Sequence, residues 1–446
     1  MKMGKVIRTL GLLTIICLPW SAQAVLNIEI TEGVEGETPL AIVPFAWEGK
    51  GKPPENIAAI ISNDLARTGL FRLIAEKKFL EHPHHGGEVN FDNWRTLGVE
   101  DLVVGRIRLA ANGRYLVQFQ LFDIYRKSGA VGPGSDDAQI KQLAGYNLPA
   151  SKKDLRRTAH YISDIIFEKL TGIRGAFTTR IAYVTASGSK DNKQYSLQIA
   201  DSDGHNPFTV LKSPEPIMSP AWSPDGNKIA YVSFEGRKSS IYVQDVATGQ
   251  RKRVSSHKGI NGSPAWSIDS KRLSITLSTN GNSDIYIMDV ASGRKTRVTH
   301  NTAIDTEAVW TPDNRSLIFT SDRSGRPQLY RIPVRGGRAK RLTFEGNYNS
   351  RAAFSPDGKT LAMVHGSGSG FQIATMQMDS GELTVLTNGR LDESPTFAPN
   401  GTMILYATSY KGKGVLYAIS VDGKARQRLL LQDGDVREPA WSPFTQ

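Results

Sequence analysis

The sequence predicts a six-bladed β-propeller with four-stranded blades, closed by the C-terminal strand and preceded by a small α/β domain. The first observation is a segment that carries an aromatic residue and recurs six times, at Trp222, Trp266, Trp310, Phe354, Phe397 and Trp441. Successive aromatics are 44, 44, 44, 43 and 44 residues apart, about the length of one propeller blade. The second observation is the composition: 446 residues, 39% hydrophobic and 22% charged, indicate a globular chain long enough for two domains. Disordered, collagen-like and polytopic membrane proteins have other compositions and are excluded.

The first 24 residues have the order of a secretory signal peptide. Basic residues precede the apolar run 10–18, and Ala22 and Ala24 form an A-x-A cleavage site. A membrane anchor is the alternative, but the run has about half of the roughly 20 residues that span a bilayer. We therefore predict an exported chain that starts at Val25 and, without Cys17, contains no cysteine.

The sequence pattern of residues 25–174 predicts the α/β domain. A buried strand at 41–45 is followed by an amphipathic helix at 55–68. Asn112-Gly113 is the favoured two-residue turn of a β-hairpin. A second helix lies within 151–172, where a capping box opens the segment and a glycine closes it. The apolar stripes of both helices indicate core rather than cofactor-binding surfaces.

The repeat pattern of residues 175–446 predicts the propeller. In each repeat a Pro-Asp-Gly type turn follows the aromatic strand, because Pro fixes φ and Gly or Asn accepts positive φ. Runs such as 229–232 and 241–243 predict the second and third strands, and a glycine-bearing turn leads into the fourth. The run 181–184 lacks a preceding aromatic strand, and the strand around Trp441 lacks a following one. These two fragments complete a sixth blade and remove open sheet edges.

Charge is distributed unevenly between the two domains. The whole chain carries a net charge of +12, yet residues 25–174 contain 19 basic and 19 acidic residues. Residues 175–446 contain 33 basic and 24 acidic residues. In an exported chain this excess favours an acidic protein or an anionic envelope surface over nucleic acid, with a merely solubilising charge as the alternative.

Catalytic patterns are missing from the sequence. No G-x-S-x-G, H-E-x-x-H, P-loop or G-x-G-x-x-G dinucleotide motif occurs. His82, His84 and His85 form the densest histidine group, for which a solvated loop is a simpler interpretation than a metal site. Aspartates recurring at blade period indicate turns rather than a catalytic pair: Asp201, Asp245 and Asp289. We expect no catalytic residue, cofactor or metal; an exported propeller hydrolase or a glycan-binding lectin is the alternative.

The loops that enter the innermost strands are the expected binding site. In a propeller these strands line the central channel, so the residues three to five places before each aromatic should gather at its mouth. The candidate residues are Met218, Ser219, Asn261, Gly262, Ser263, Thr306, Glu307, Asn349, Arg351, Asp392, Glu393 and Arg437. Ordinary solvated loops are the alternative.

Four segments resemble the TolB family of periplasmic Tol-Pal components. They are PAWSPDG at 220–226, TSDRSGRPQLY at 320–330, ISDIIFEKLTGIRGAF at 162–177 and VLNIEI at 25–30. The resemblance implies a six-bladed propeller behind an α/β domain and a non-enzymatic adaptor. It further implies a role in outer-membrane integrity and in constriction during cell division.

The resemblance also implies two partners. The outer-membrane lipoprotein Pal would bind the mouth through the N-G-x-P loop, here 261–264, and the T-E motif, here 306–307; Ile260 replaces one family contact histidine. TolA from the inner membrane would bind the N-terminal segment, at Val25, Leu26, Asn27, Ile28, Glu29, Ile30, Gly33 and Val34. Because Ile28 and Ile30 alternate, this segment could add as a strand to a sheet edge of its own domain or of a partner.

Overall fold

The fold is described from a computed structural model that covers residues 28–30, 36–126, 141–189, 192–279, 281–368, 370–429, 431 and 434–444. The predicted signal peptide, 1–24, lies outside these residues and stays a prediction, as do the domain boundaries. The described residues form an α/β unit and a ring of six sheets.

The α/β unit contains one mixed sheet. Together with a separate N-terminal strand, its strands are β1 (Ile28–Ile30), β2 (Thr38–Ile42), β3 (Ala46–Glu48), β4 (Phe71–Leu73), β5 (Asp101–Leu109), β6 (Tyr115–Asp123) and β7 (Gln142–Ala150). The helices are α1 (Ile57–Ala66), α2 (Phe91–Thr96) and α3 (Leu155–Thr171), with short 3-10 helices at Glu76–Lys78, Gly86–Glu88 and Lys152–Asp154. The sheet order is β4-β2-β5-β6-β7, with β3 beside β5.

The sheet is covered on both faces. Helices α1 and α3 pack on one face around Ile61, Phe119 and Ile162, and α2 packs on the other around Trp94 and Phe122. Strand β2 runs parallel to β4 and β5, whereas β5, β6 and β7 are antiparallel neighbours. The two buried faces explain why the central strands are almost continuously apolar.

The local sequence patterns predicted these helices and strands, and the observed bounds differ by a few residues. Helix α1 begins at Ile57 because the Asn56 side chain accepts a hydrogen bond from the backbone of Ala59, and Gly113 has φ 75° in the predicted hairpin turn. The predicted capping box is wrong in detail. Ser151 bonds the Asp154 side chain and a 3-10 turn comes first, so α3 begins only at Leu155; Gly172 ends it with φ 73°.

The ring confirms the predicted six-bladed propeller with four-stranded blades. Its strands are listed here from the innermost to the outermost of each blade. Blade 1 contains β31 (Asp435–Trp441), β8 (Arg180–Ser187), β9 (Gln194–Asp201) and β10 (Phe208–Ser213), and blade 2 contains β11 (Ile217–Trp222), β12 (Lys228–Ser233), β13 (Ser240–Asp245) and β14 (Arg251–Ser255). Blade 3 contains β15 (Asn261–Trp266), β16 (Arg272–Thr279), β17 (Asn282–Asp289) and β18 (Lys295–Arg297), and blade 4 contains β19 (Asp305–Trp310), β20 (Ser316–Ser321), β21 (Gln328–Pro333) and β22 (Lys340–Arg341). Blade 5 contains β23 (Tyr348–Phe354), β24 (Thr360–Gly366), β25 (Phe371–Gln377) and β26 (Leu383–Val385), and blade 6 contains β27 (Glu393–Phe397), β28 (Met403–Tyr410), β29 (Lys413–Ser420) and β30 (Ala425–Arg428).

Blade 1 closes the ring by joining the two ends of the repeat array. Strand β31 pairs antiparallel with β8, with Arg437 opposite Val184 and Trp441 opposite Ile181. The Trp441 indole N–H donates to the Thr179 hydroxyl at 2.8 Å. The closing strand thus pairs through its backbone with β8 and bonds through a side chain to Thr179, the residue that precedes β8.

The α/β unit packs against blades 1 and 6. Arg67, which follows α1, donates to the backbone oxygen of Ser202 at 3.2 Å and to its hydroxyl at 2.9 Å. Gly69 approaches blade 6 so closely that an added Cβ would lie 2.5 Å from the Cβ of Ala425. Ser202 lies in the turn between the third and fourth strands of blade 1. Because strands alternate in direction, this turn is at the end of the ring opposite the loops that enter the innermost strands.

Candidate functional site

One residue of every blade points from a backbone bulge into the channel. In each innermost strand the pairing register shifts near a residue with positive φ, three places before the aromatic. These residues are Ser219 (φ 50°), Ser263 (46°), Glu307 (57°), Arg351 (50°), Ser394 (56°) and Glu438 (54°). All six line a cavity of about 130 Å³ on the ring axis. A non-glycine residue in this conformation is strained, and the bulge aims it away from the sheet.

Charges in the channel are organised around Arg351. Its Nε lies 3.0 Å from a Glu307 carboxylate oxygen, and its two Nη atoms each lie 3.2 Å from Glu438. It also contacts the Ser394 hydroxyl. Burial opposes the charged form of Arg351, but Glu438 and Glu307 outweigh burial and raise the pKa of its guanidinium. The channel wall therefore holds one fixed cation between two carboxylates.

The residues five places before the aromatic are buried and shape the mouth loops. Asn261 is fully buried; its side chain accepts from Ser255 and His257 and donates to the backbone oxygens of His257 and Gly259. Asn349 and Asp392 are fully buried as well and bond their own loops. Three of the predicted contact residues thus lie beneath the surface and fix its shape.

The surface of the mouth comes from the neighbouring positions. Met218 is 38% exposed, and Arg437 is exposed, while Gly262, Thr306 and Glu393 are partly exposed. These five residues precede their blade aromatics by four positions, and they surround the six channel residues. The loops therefore bring the predicted candidates to one end of the ring.

Sequence reasoning missed an apolar element of this mouth. Six places before the aromatic, Ile260, Ile304 and Leu391 are 52%, 54% and 45% exposed. In the sequence, Ile260 stands out only as the residue that replaces a family contact histidine. The blade period of about 44 residues, read one position further upstream, would have revealed these three apolar residues. Exposed apolar side chains among the polar mouth loops are available for contact with a protein partner.

The N-terminal segment lies on blade 6. Strand β1 pairs antiparallel with β30, with Ile28 opposite Gln427 and Ile30 opposite Ala425, and makes blade 6 a five-stranded sheet. The segment thus adds to a sheet edge, but the predicted location is wrong: the edge belongs to the propeller, and not to the α/β domain or to a partner. The other predicted TolA-binding residues, Val25, Leu26, Asn27, Gly33 and Val34, lie outside the described residues.

A buried ionic cluster joins the two units. Asp64 and His160 from the α/β unit meet Asp203 of blade 1, and their ligand atoms lie within 4.8 Å of one another. His160 Nδ1 is 2.7 Å from Asp64, and its Nε2 is 3.5 Å from Asp203. Arg67 pairs with Asp64 at 3.3 Å, and Arg156 contacts Asp203. Two guanidinium groups would repel a divalent cation, so this is an ion-pair network rather than a metal centre.

Protonation strengthens this cluster. Burial lowers the pKa of His160, but its contacts with Asp64 and Asp203 outweigh burial and raise that pKa overall. Burial raises the pKa of Asp203, yet hydrogen bonding from His205 and the charges of His160 and Arg156 hold it well below its usual range. The interface therefore favours a cationic His160 between two carboxylates.

The other candidates for chemistry are local. His85 Nε2 lies 2.9 Å from Glu88, and His82 lies 3.7 Å from Glu76, so these two histidines have separate carboxylate neighbours. Asp289 accepts hydrogen bonds from the backbone and hydroxyl of Ser292 at 2.8 and 2.7 Å, as a turn residue does. The histidines belong to the α/β unit, and Asp289 ends the third strand of blade 3 rather than the innermost strand that lines the channel.

Fold and channel define the class of the protein: a six-bladed β-propeller joined to an α/β unit, with a charged central channel opening among partly apolar loops. Among the described residues no helix has the length and apolarity needed to cross a membrane.

Comparisons with known proteins agree with this class. The TolB beta propeller domain model matches residues 167–445, and the TolB amino-terminal domain model matches residues 26–129. The chain is 60% identical over 444 residues to the Tol-Pal system protein TolB of Thioalkalivibrio sulfidiphilus (strain HL-EbGR7), covering 99% of each chain. It is 61% identical over 440 residues to that of Nitrosococcus oceani, covering 98% of each. The crystal structure of TolB from Acinetobacter baumannii matches with a TM-score of 0.83 and 40% identity, over 94% of this chain and 100% of that chain. The chain belongs to the TolB family.

Proposed function

We propose that this protein is a non-enzymatic periplasmic adaptor of the Tol-Pal system. It binds the outer-membrane lipoprotein Pal at the propeller mouth and TolA through its N-terminal segment, and so supports outer-membrane integrity and constriction during division. The observation that carries the proposal is the convergence of six loops on one channel end, with exposed Ile260, Ile304 and Leu391 around it. Membership of the TolB family supports the same system.

In this proposal the predicted Pal-binding residues divide into two roles. Met218, Gly262, Thr306, Glu393 and Arg437 make direct contacts at the mouth, above a channel floor of Ser219, Ser263, Glu307 and Arg351. Asn261, Asn349 and Asp392 act indirectly, because they are fully buried and hold the loops in position. Rigid loops reduce the ordering entropy that binding would otherwise cost.

Titration calorimetry of the mature chain with lipid-free Pal tests the mouth. Thr306→Arg places a long cation among the mouth loops, and we expect it to abolish binding. Thr384→Arg is the matched control, since Thr384 is exposed on the outer strand of blade 5. Binding unaffected by Thr306→Arg would move the site elsewhere, and no binding by the unmodified chain would refute Pal as the partner.

The proposed binding of TolA rests on strand addition by the N-terminal segment. Strand β1 occupies the outer edge of blade 6, and the same segment can supply main-chain hydrogen bonds to TolA. Deleting 25–36 should abolish binding of a soluble TolA domain. We also propose that occupation of the mouth and release of this segment are coupled; Pal affinity unchanged by the deletion would refute the coupling.

A further inference from the structure

The outer strands of blades 2, 3 and 4 carry a dense positive charge. Each outer strand, with the turn before it, forms an equivalent ten-residue segment: 246–255, 290–299 and 334–343. The three segments contain ten cations and no acidic residue, and one aspartate directly precedes each of the first two, Asp245 and Asp289; the cations are Arg251, Lys252, Arg253, Arg294, Lys295, Arg297, Arg335, Arg338, Lys340 and Arg341. We call this set the basic belt.

The cations of the basic belt face solvent with little compensation. Eight are exposed, and Lys295 and Arg341 are partly buried. Among the described residues two of them form salt bridges, Arg251 with Glu235 at 2.7 Å and Arg297 with Asp284 at 2.7 Å. Most of the charge is therefore available to an outside partner.

Protection of sheet edges does not explain the basic belt. Cations on an edge strand discourage pairing with another chain, so every open blade edge should carry them. Blade 5 has an equally open outer strand, yet its equivalent segment, 378–387, contains Asp379 and Glu382 and no cation. A purely solubilising charge would likewise be spread around the ring. The concentration on three consecutive blades points instead to a partner.

We propose that the basic belt is a docking surface for an anionic phospholipid membrane. Interfaces with structured proteins have centres built from several apolar side chains. Among the described residues none of the large exposed apolar side chains lies in the three segments, and a single one, Phe344, directly follows the third segment, with the guanidinium of Arg341 5.1 Å from its ring centre. The cations also extend over three blades rather than converge on a pocket, which suits an array of equivalent phosphate groups. Polybasic surfaces bind such membranes by charge alone.

The position of the basic belt leaves the other sites free. The α/β unit contacts blades 1 and 6, and β1 pairs with blade 6, on the other side of the ring. The mouth opens at one end of the ring, whereas the belt lies on its circumference and in the turns at the opposite end. The protein can therefore hold a partner at the mouth while its rim lies against a membrane.

Vesicle co-sedimentation with the mature chain tests the proposal. The probes are vesicles of three parts phosphatidylethanolamine to one part phosphatidylglycerol, compared with phosphatidylcholine vesicles and with purified peptidoglycan. We expect binding to the anionic vesicles alone, weakening as ionic strength rises from about 0.05 M to about 0.5 M because the screening length shrinks.

Two variants with the same loss of charge locate the surface. Lys252→Gln, Arg294→Gln and Arg338→Gln together should weaken binding by roughly 100-fold, at about fivefold for each cation near the membrane. Lys169→Gln, Lys212→Gln and Lys359→Gln remove three exposed cations from α3, blade 1 and blade 5 and should change it little. Both variants should bind lipid-free Pal normally, which separates this test from that of the mouth.

Three results would overturn the proposal. One is an absence of binding to anionic vesicles at low salt. A second is an equal loss of binding in the two variants. A third is binding to peptidoglycan without binding to vesicles.

Discussion

At the scale of single residues, the channel depends on six side chains held in a left-handed backbone conformation. Ser219 and Ser263 tolerate this position as small polar residues, whereas Glu307, Arg351 and Glu438 need one another, because a lone buried charge is costly. A similar dependence joins the two units, where His160 lies between Asp64 and Asp203. Single substitutions at these places should have large effects on stability.

Replacing Arg351 should destabilise the propeller. Arg351→Met leaves Glu307 and Glu438 without their shared cation, and we expect a loss of about 2 kcal/mol in the free energy of unfolding. Arg437→Met removes an exposed cation from the neighbouring mouth position and should change stability by less than about 0.5 kcal/mol. Urea unfolding measures both. Equal effects of the two substitutions would contradict the assigned role of the channel cluster.

The free energy of unfolding should depend on the protonation of His160. Its contacts with the two aspartates raise its folded-state pKa above the ordinary histidine value of 6.5, so its stabilising contribution is complete below pH 6.5 and is lost as pH rises through the folded-state pKa. The groups that face it are Asp64, Asp203, Arg67 and Arg156, with His205 beside Asp203.

A substitution isolates this contribution. His160→Gln should cost about 3 kcal/mol at low pH and progressively less at higher pH. His300→Gln removes an exposed histidine as the control and should change the free energy of unfolding by less than about 0.5 kcal/mol. A His160→Gln penalty that stays constant across pH would show that the imidazole acts only by packing.

At the scale of elements, the sequence period predicted most of the propeller and little of its edges. Six aromatics at regular spacing determined the number of blades and the composite closing blade, because each blade repeats the same local pattern. The bulges could not be predicted, since they leave the apolar pattern of each strand intact. The docking of β1 on β30 pairs residues about 400 positions apart through three residues, too few to specify a partner strand.

Removing the N-terminal segment should expose the edge of blade 6. With 25–36 deleted, amide hydrogen exchange at 425–428 should accelerate, because β30 loses its antiparallel neighbour. Exchange in β14, the outer strand of blade 2, should not change. Unaltered protection of β30 would mean that β1 contributes nothing to this edge in solution.

Removing the closing strand should open the ring. Deletion of 437–446 eliminates the pairing of Arg437, Ala440 and Trp441 with β8 and leaves the inner edge of blade 1 unpaired. We expect loss of the cooperative thermal transition together with aggregation. Deletion of 445–446 alone keeps β31 and is the control. A cooperative transition retained by the longer deletion would contradict closure by β31.

At the scale of the whole molecule, the proposed partner surfaces lie on different sides of the ring. The mouth loops were predictable as a group, because topology brings them to one end of the channel. The buried role of Asn261 could not be predicted, because the sequence does not distinguish an amide that bonds its own loop from one that faces a partner. The Asp64–His160–Asp203 cluster also escaped prediction, because its members come from two units and share no spacing.

Hydrogen exchange of the mature chain with and without lipid-free Pal tests the central claim most directly. Binding at the mouth predicts new protection in the loops that enter the innermost strands, including 256–262, 300–306 and 388–393. The turns at the opposite end of the ring, such as 246–250 and 334–339, should exchange as before. Protection at those turns or on the outer strands, without protection of the mouth loops, would contradict the account.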